Sequence, residues 1–327
     1  MNTTAHASLH QAAPDLAVHL NDRLRPCFGH LPVVGDHGLT DHPLFTDAAL
    51  VDLLDHFPRE HLYALNMGND PTRVEDNQLA LHDGVSGAEL MQAVRSGRLW
   101  LNVTRVDRAS SDYRDLIHRL YHGLSDQVPD FSPSAVQGTL LISSPHALVY
   151  YHADGPASAL WHIRGRKRVW VYPAQDDYFV KQDMLEDIFA GARHEYLPYQ
   201  QSYDCSAEVY DLEPGQWISW PQNAPHRVTN LDSVNVSLST EHFTAASLRR
   251  FRLFVANRFF RTRLHCKDLS AQEDGVCALA KILVQRCAGK LGLNPVEIRR
   301  QTAALRVSTQ APGGIVPLDA AFQRARV

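Results

Sequence analysis

Residues 147–156 read Ala-Leu-Val-Tyr-Tyr-His-Ala-Asp-Gly-Pro, an apolar run that ends in His152 and Asp154. The aromatic and aliphatic residues of this run predict a strand, and Gly155-Pro156 predicts its end. Because alternate residues of a strand share a face, His152 and Asp154 are expected to point the same way. A second imidazole, from His226 on a later predicted strand, would complete a set of two histidines and one carboxylate. That set suits Fe(II) and leaves coordination positions open.

The tripeptide His152-Ala153-Asp154 leaves two interpretations open, because 18 histidines in the chain make chance matches common. One interpretation is a metal site, and the other is a buried histidine that is hydrogen-bonded to Asp154. Residues 213–226 favour the metal site, since a Pro-Gly turn, an apolar strand and a Pro-bounded loop lead directly to His226. Lys167 lies in a predicted strand pair soon after Asp154, where its ammonium is expected to face the same cavity.

The composition indicates a soluble globular chain. Of the 327 residues, 44% are hydrophobic and 21% are charged, which is ordinary for a chain that buries one large or two modest cores. The net charge of -4 argues against nucleic acid or an anionic membrane as the main partner. The five cysteines are scattered and never form a C-x-x-C pair, which predicts free thiols in a reducing cytosol. We find no signal-peptide pattern and no apolar run near the ~18 residues of a membrane span, so a cytoplasmic location is expected.

Residues 1–97 are predicted to form an N-terminal arm and helices that pack on the core. The arm shows little periodicity, with one predicted strand near residues 31–34. Apolar residues at helical spacing over residues 47–57 predict a first helix. The capping box from Ser86 to Glu89 predicts the start of a second helix.

Residues 98–245 are predicted to form the core. A strand at residues 99–106 and a helix at residues 111–124 precede many short strands, which are typical of a sandwich or jelly roll, the architecture that includes the cupins. Gly165-Arg166 is predicted to be a tight hairpin turn, and a polar insert at residues 174–205 is predicted to carry short helices. The short strands are predicted at residues 138–144, 147–154, 159–164, 168–172, 208–212, 216–220, 226–230 and 234–240.

Residues 246–327 are predicted to form a helical segment and a tail. Helical spacing covers residues 248–263 and 270–291, and a further helix is predicted at residues 294–305, with an irregular tail after it. The predicted fold class is therefore mainly β with α additions. It has a double-stranded β-helix (jelly-roll or cupin) core with N-terminal helices and a C-terminal helical segment.

Other histidines and tryptophans lie near the predicted site. The histidines are weaker candidates for metal ligands. The tryptophans are expected to pack in the barrel, with one of them a candidate for the wall of a substrate pocket. These residues are His146, His162, His194 and His242, and Trp161, Trp217 and Trp220.

Over residues 138–243 the chain resembles the JmjC/cupin-like Fe(II)- and 2-oxoglutarate-dependent oxygenases. The resemblance is strongest to the branch that contains the asparaginyl hydroxylase acting on hypoxia-inducible factor. The order of the motifs is more specific than any one of them. The matching residues are His152-Ala-Asp154, then WHIRGRKRVWVYP from Trp161 to Pro173, then PGQWISWP from Pro214 to Pro221, and His226.

The resemblance implies that His152, Asp154 and His226 hold Fe(II). It also implies that Lys167 pairs with the distal carboxylate of the cosubstrate 2-oxoglutarate. The reaction it implies is hydroxylation of a small molecule or an amino-acid side chain, coupled to decarboxylation of 2-oxoglutarate to succinate.

Two further contacts to 2-oxoglutarate are expected from the family pattern. The family often has a hydroxyl residue three positions before the first histidine, but that position is Val149 here. Tyr150 shares the strand parity of His152 and is the expected replacement. Asn102, from an earlier strand, is the expected second contact.

Two alternatives to an oxygenase remain. One is a cupin-type isomerase, lyase or dioxygenase that uses a metal without 2-oxoglutarate, often with a fourth protein ligand. The other is a non-catalytic regulatory module whose arginine-rich segment at residues 248–263 would contact nucleic acid, although a solvated basic helix face is preferred. The expected partners are dioxygen and an organic substrate, a small molecule rather than a protein, and a second copy of the chain bound through the C-terminal helices.

Overall fold

The structure is a computed structural model that describes residues 16–293, 301–319 and 324–326. The helices are α1 (Asp47–His56), α2 (Gly87–Ser96), α3 (Val106–Ala109), α4 (Ser111–Ser125), α5 (Gln182–Phe189), α6 (Ala245–Arg263) and α7 (Val276–Lys290). The strands are β1 (Val18–His19), β2 (Val33–His37), β3 (Leu62–Asn66), β4 (Gln78–Leu81), β5 (Leu99–Val103), β6 (Ser134–Ser143), β7 (Leu148–His152), β8 (Ala157–Arg164), β9 (Lys167–Val171), β10 (Glu208–Leu212), β11 (Gln216–Trp220), β12 (His226–Asn230), β13 (Asn235–Phe243), β14 (Gln301–Ala303), β15 (Leu305–Val307), β16 (Ile315–Pro317) and β17 (Arg324–Arg326).

Strands β6 to β13 form two facing sheets. The major sheet has eleven strands in the order β1-β2-β11-β8-β13-β6-β5-β3-β4-β15-β16, and the minor sheet has the order β10-β9-β12-β7. Between β6 and β13 the chain changes sheet at every connection except the one from β9 to β10. This alternation is the double-stranded β-helix, so the predicted core is confirmed.

The two faces of the major sheet have different neighbours because side chains alternate along each strand. Leu140 and Ile142 of β6 pack against apolar residues of α1, α2 and α4 on the outer face. Leu141 between them points inward and packs against residues of the minor sheet. Trp161 and Trp217 belong to the outer cluster, which confirms that they are packing residues.

The N-terminal helices begin where the sequence predicts. The Thr46 hydroxyl accepts the Ala49 backbone N–H at the start of α1. Ser86 and Glu89 form the reciprocal capping box of α2. Each cap satisfies backbone donors that have no partner inside the helix.

The predicted hairpin at Gly165-Arg166 is wrong. Strand β8 belongs to the major sheet and β9 to the minor sheet, so the short turn crosses between the sheets. Gly165 has φ +83°, and an added Cβ would lie 2.5 Å from the carbonyl oxygen of Val234. The turn therefore requires glycine both for its backbone conformation and for the close approach of a neighbouring chain segment.

The C-terminal segment departs from the prediction. Helices α6 and α7 are confirmed, but the helix predicted at residues 294–305 is wrong over its described part, because β14 and β15 begin there. Residues 294–300 lie outside the described residues. The irregular tail is also wrong, since β15 pairs in parallel with β4 and antiparallel with β16. Leu305 and Val307 are buried and Arg306 is exposed, a strand alternation that pairing with the free edge of β4 stabilises.

Strands from all three predicted segments join the major sheet. The boundaries at residues 97 and 245 stay a prediction. In the part of the chain that the structure describes, no helix has the length and apolar character to span a membrane.

Candidate metal centre

Three side chains from two adjacent strand ends converge inside the jelly roll. Nε2 of His152 lies 3.7 Å from Oδ1 of Asp154, and Nε2 of His226 lies 3.7 Å from Oδ2 of the same carboxylate. The three ligand atoms lie within 4.8 Å of one another. Ligands about 2.1 Å from a metal ion at adjacent coordination positions stand roughly 3 Å apart, so the three side chains would have to move closer by up to about 2 Å to hold an ion.

The hydrogen bonds of both imidazoles leave Nε2 free for a metal. Nδ1 of His152 is 2.7 Å from the carbonyl oxygen of Tyr150, and Nδ1 of His226 is 3.1 Å from that of Ala224. A carbonyl oxygen only accepts, so Nδ1 carries the proton and Nε2 keeps its lone pair. Burial and, to a smaller extent, the nearby His152 lower the pKa of His226 to about 3, which keeps this imidazole neutral at physiological pH.

Two polar residues fix the carboxylate and the loop that carries His226. The Ser158 hydroxyl donates to Oδ2 of Asp154 at 2.7 Å. The Asn223 amide nitrogen donates to the backbone carbonyl of Asp154 at 2.8 Å. Asn223 is buried and has φ +68°, a conformation that asparagine tolerates better than most residues. These contacts join the strand that provides Asp154 to the loop that provides His226.

A β-bulge in β7 changes which residues face the site. His152 pairs with His226 and Val149 with Val228, so three steps along β7 match two along β12. The extra residue reverses the alternation, and Val149 lines the cavity together with His152.

Tyr150 is consequently absent from the lining of the metal cavity. Its hydroxyl oxygen instead accepts the Gly68 backbone N–H at 3.1 Å, and its ring packs edge-on against Tyr196. Strand parity predicted that Tyr150 shares the face of His152, and the bulge is the reason that this parity fails.

Lys167 lies in the same cavity as the three ligand residues. It is 4% exposed, and we find no hydrogen bond or ion pair to it among the residues that the structure describes. Burial lowers its pKa to about 7. Its backbone pairs with Asn230, while His226 pairs with Val171 of the same strand, four residues away or roughly 13 Å. The ammonium therefore enters from the end of the barrel opposite the ligands.

Asn102 also lines this cavity, and its Oδ1 is buried without a hydrogen-bond partner. The cavity has a volume of about 250 Å³. Trp220 forms part of its wall, and its ring lies against that of His226, with centroids 4.2 Å apart and the ring planes tilted by 41°.

Sequence reasoning missed two acidic residues in the cavity, Glu195 and Glu241. Desolvation, followed by the nearby Asp154 and Glu241 carboxylates, raises the pKa of Glu195, although the residue as a whole is exposed. Burial also raises the pKa of Glu241 to about 7, with a second contribution from Asp154. Glu195 lies in the polar insert, where no sequence signal could assign it to the site. Glu241 was visible as the acidic residue that shares strand parity with Ser237 and Ser239 in β13.

The other histidines have different roles. His162 is 3.0 Å from the Ser237 hydroxyl and 2.8 Å from the Gly165 carbonyl. His242 is 3.0 Å from the Tyr121 hydroxyl. Among the described residues, the group of side chains that can hold a metal ion consists of the three predicted ligands and includes neither of these two histidines, His146 nor His194.

Comparison with solved structures supports the architecture. An X-ray structure of Escherichia coli YcfD matches with a TM-score of 0.50 and 16% identity, over 83% of this chain and 68% of that chain. A second YcfD structure, described as a ribosomal oxygenase in complex with cobalt and 2-oxoglutarate, matches with a TM-score of 0.46 and 14% identity, over 83% and 67%. The sequence matches no family model and no curated protein. The first likeness shows a shared fold, which confirms the predicted architecture.

Proposed function

We propose that this protein is an Fe(II)- and 2-oxoglutarate-dependent oxygenase that hydroxylates a C–H bond. The observation that supports it is the placement of the His152, Asp154 and His226 donors and the unpartnered Lys167 ammonium in one cavity. A 2-His-1-carboxylate set with open positions is the donor set of non-haem Fe(II) oxygenases. Iron and 2-oxoglutarate would supply the oxidising chemistry, and the chain supplies the ligands and the shape of the site.

The residues around the metal ligands would hold and orient the reactants. Lys167 would pair with the distal carboxylate of 2-oxoglutarate in a shielded environment where the ion pair is strong. The Asn102 amide is a candidate for a second contact. Val149 offers no hydrogen bond at the position where the family often has a hydroxyl, and Tyr150 is engaged with Gly68. The apolar surface of Val149 and Trp220 would limit the access of water to the reacting centre.

The proposal is tested by anaerobic titration of the protein with Fe(II) and 2-oxoglutarate. We expect a weak visible charge-transfer band that is absent in the His152→Ala variant. In air, turnover of 2-oxoglutarate to succinate should depend on added substrate. A protein that binds Fe(II) but shows neither the band nor succinate in a screen of amino acids, peptides and nucleosides would contradict the proposal.

Lys167 separates this proposal from a cupin metalloenzyme that works without 2-oxoglutarate. Such an enzyme has no need for a buried, unpartnered ammonium across the cavity from the metal. Lys167→Ala should abolish 2-oxoglutarate binding while metal binding persists, as measured by calorimetry with Mn(II). Unchanged 2-oxoglutarate binding in this variant would favour the alternative.

The basic face of α6 is largely neutralised within the chain, which removes the main reason for a nucleic-acid partner. Its arginines form ion pairs with acidic residues of α5 and of the segment before α7. The pairs are Arg249 with Asp274, Arg250 with Glu273, Arg258 with Asp187, and Arg261 with Glu186 and Asp187.

We also propose a homodimer through the C-terminal helices and a cytoplasmic location. Helix α7 exposes Val276, Leu279 and Leu283 along one face, an apolar surface that a second copy would cover. The five cysteines are free, which fits a reducing compartment. The substrate is an organic compound, and an amino-acid side chain, free or within a polypeptide, fits the polar cavity.

A further inference from the structure

We propose that a second cavity beside the metal centre binds a planar, uncharged heterocycle with a cyclic urea edge, of which the uracil ring is an example. This inference rests on the proposed function, because it names the substrate class of the same site. The second cavity, called the side cavity below, has a volume of about 410 Å³ and shares Trp100, Asn102 and His152 with the metal cavity. Its volume lies within the range of small-molecule pockets. Because His152 belongs to both linings, a ring bound in the side cavity would lie beside the metal site.

Three buried polar atoms in the lining of the side cavity have no hydrogen-bond partner among the residues that the structure describes. Oδ1 of Asn77 and Oδ1 of Asn102 are acceptors, and the Nε–H of Arg193 is a donor. The nitrogen of the Asn77 amide is engaged with the Tyr196 hydroxyl, which leaves its oxygen for a ligand. Buried polar groups without partners are costly, so these atoms require a ligand or water to complete them.

The pattern of these atoms defines the complementary ligand. Two acceptors and one donor require a group with two N–H donors and one carbonyl oxygen. A cyclic urea edge, H–N–C(=O)–N–H, offers that set within one rigid ring, so little conformational freedom is lost on binding. Apart from its two histidines, the lining carries one cationic and one anionic residue, Arg193 and Glu195. The side cavity therefore has no excess of one charge that would favour an ion over a neutral ring.

Aromatic side chains line the side cavity from two elements of the fold. Tyr63 of β3 pairs with Asn102 of β5, which follows Trp100 by two residues, so all three side chains lie on one face of the major sheet. Tyr196 comes from the segment after α5, which bridges to the end of β7, and its ring centroid lies 6.3 Å from that of His152. These rings offer stacking surface, which a flat conjugated ring uses better than a saturated one.

Asn102 has the groups to bind this ring and 2-oxoglutarate at the same time. It lines both cavities, and its amide has a nitrogen that donates and an oxygen that accepts. The nitrogen would stay available to the cosubstrate while the oxygen accepts from the ring. The site favours a free small molecule over an amino-acid side chain. A conjugated ring uses the aromatic lining as well as the three polar atoms, whereas a side-chain amide uses the polar atoms alone.

The test measures binding of defined probes to the full chain loaded with Mn(II). Calorimetry compares uracil with 1,3-dimethyluracil, which keeps the flat ring but has no N–H, and with 5,6-dihydrouracil, which keeps the urea edge but loses conjugation. We expect uracil to bind about tenfold more tightly than the first and about fivefold more tightly than the second, because the first loses two hydrogen bonds and the second loses stacking. Equal binding of uracil and 1,3-dimethyluracil would overturn the proposal and leave water as the partner of the three atoms. Equal binding of uracil and 5,6-dihydrouracil would overturn the requirement for a flat ring.

Variants assign the binding to the three polar residues. Arg193→Ala should weaken uracil binding about tenfold. Arg23→Ala is the matched control and should leave it unchanged, since Arg23 is exposed and is not part of the cavity lining. In the double variant Asn77→Leu and Asn102→Leu, which keeps the size of both side chains, the preference for uracil over 1,3-dimethyluracil should fall to about twofold or less. If the double variant does not fold, each single variant should still lose part of the preference. A preference that survives in these variants would overturn the assignment.

Further probes separate the class of ligand and the fate of the proposed function. Tighter binding of Nα-acetyl-L-asparagine amide than of uracil would overturn the ring in favour of a side-chain amide. Tighter binding of a uridine pentanucleotide would overturn a free small molecule in favour of a single-stranded nucleic acid. Repeating the titrations with 2-oxoglutarate present distinguishes the two proposals. If 2-oxoglutarate does not bind, the proposed function fails, whereas the preference for uracil is still read from the titrations without it.

Discussion

Lys167 is the residue on which the choice of cosubstrate depends. Its ammonium is buried and has no partner among the described residues, and burial lowers its pKa to about 7. The group is therefore ready to bind an anion and would gain more from one than an exposed lysine would. The sequence suggested this residue through its place in a predicted strand pair soon after Asp154 and through its place in a family motif. Without the motif, a lysine between two arginines would be expected to be solvated.

The affinity for 2-oxoglutarate should fall as the pH rises above about 7. Above its lowered pKa, Lys167 loses the positive charge that attracts the distal carboxylate, so the dissociation constant should rise by up to about tenfold per pH unit. Calorimetry with Mn(II)-loaded protein from pH 6.5 to 9 measures this change.

Lys167→Arg is the control for this pH dependence. Its guanidinium stays charged over the whole range, so its profile should be flatter than that of the wild type. Any contribution from Glu195 and Glu241 remains in this variant, and the difference between the two profiles reports Lys167 alone. Two identical profiles would contradict the role of Lys167.

At the scale of single elements, the loop between β11 and β12 determines how well the metal ligands are held. Asn223 spans from this loop to the Asp154 carbonyl, and the Gln222 amide nitrogen donates to the Gly155 carbonyl at 2.8 Å. Partners of this kind act on the metal through the residues that bind it.

Asn223→Gly should weaken Mn(II) binding by about 10- to 100-fold, because it removes the amide without straining a backbone at φ +68°. Calorimetry measures the affinity, and urea unfolding measures the stability. Asn223→Ala should lose similar metal affinity and also about 1–2 kcal/mol of stability, since alanine is strained at positive φ. Unchanged metal affinity in both variants would show that the hydrogen bond does not position Asp154.

The turn between β8 and β9 should tolerate only glycine at position 165. Gly165→Ala adds a methyl group that meets the Val234 carbonyl, and we expect a loss of about 2–4 kcal/mol in the free energy of unfolding. Gly84→Ala is the matched control, because Gly84 has φ +74° with open space around it and should lose only about 1 kcal/mol. Equal losses in urea unfolding would mean that the backbone conformation alone, and not the contact, requires glycine.

Local rules predicted most elements but not their pairing partners. The caps at Thr46 and Ser86 act within one helical turn, so the sequence around them was sufficient. The bulge at Tyr150 and the crossing at Gly165 depend on strands that are distant in sequence, and parity or turn chemistry alone could not reveal them. The metal ligands could be predicted from the sequence because each is a histidine or an aspartate at the end of a predicted strand. Glu195 could not be predicted, because only the fold brings it to the site.

At the scale of the whole molecule, α7 is the element least covered by the rest of the described chain. Val276 is 82% exposed and Leu283 is 62% exposed, although both are apolar. Few side chains of this helix are buried, and Ala278 and Ile282 are two of them. An apolar face of this kind is expected to mark a contact with another chain.

The proposed dimer predicts a change in mass when this face becomes charged. Leu279→Asp together with Leu283→Asp should convert a dimer to a monomer in sedimentation velocity, because burying the two carboxylates in the contact is unfavourable. Leu31→Asp is the control, since Leu31 is 55% exposed elsewhere on the surface and should leave the dimer intact. A wild-type protein that sediments as a monomer would refute the dimer.

The place of β2 in the major sheet has a consequence for synthesis on the ribosome. Strand β2, near the start of the chain, pairs with β11, whose residues 216–220 are made much later. The edge of β2 that pairs with β11 therefore has no partner while most of the barrel is being translated. Sheets that depend on such distant pairings fold slowly, and open edges favour aggregation. The chain should accordingly reach its native state only after β13 has emerged, and its yield should depend on how well nascent intermediates are protected from one another.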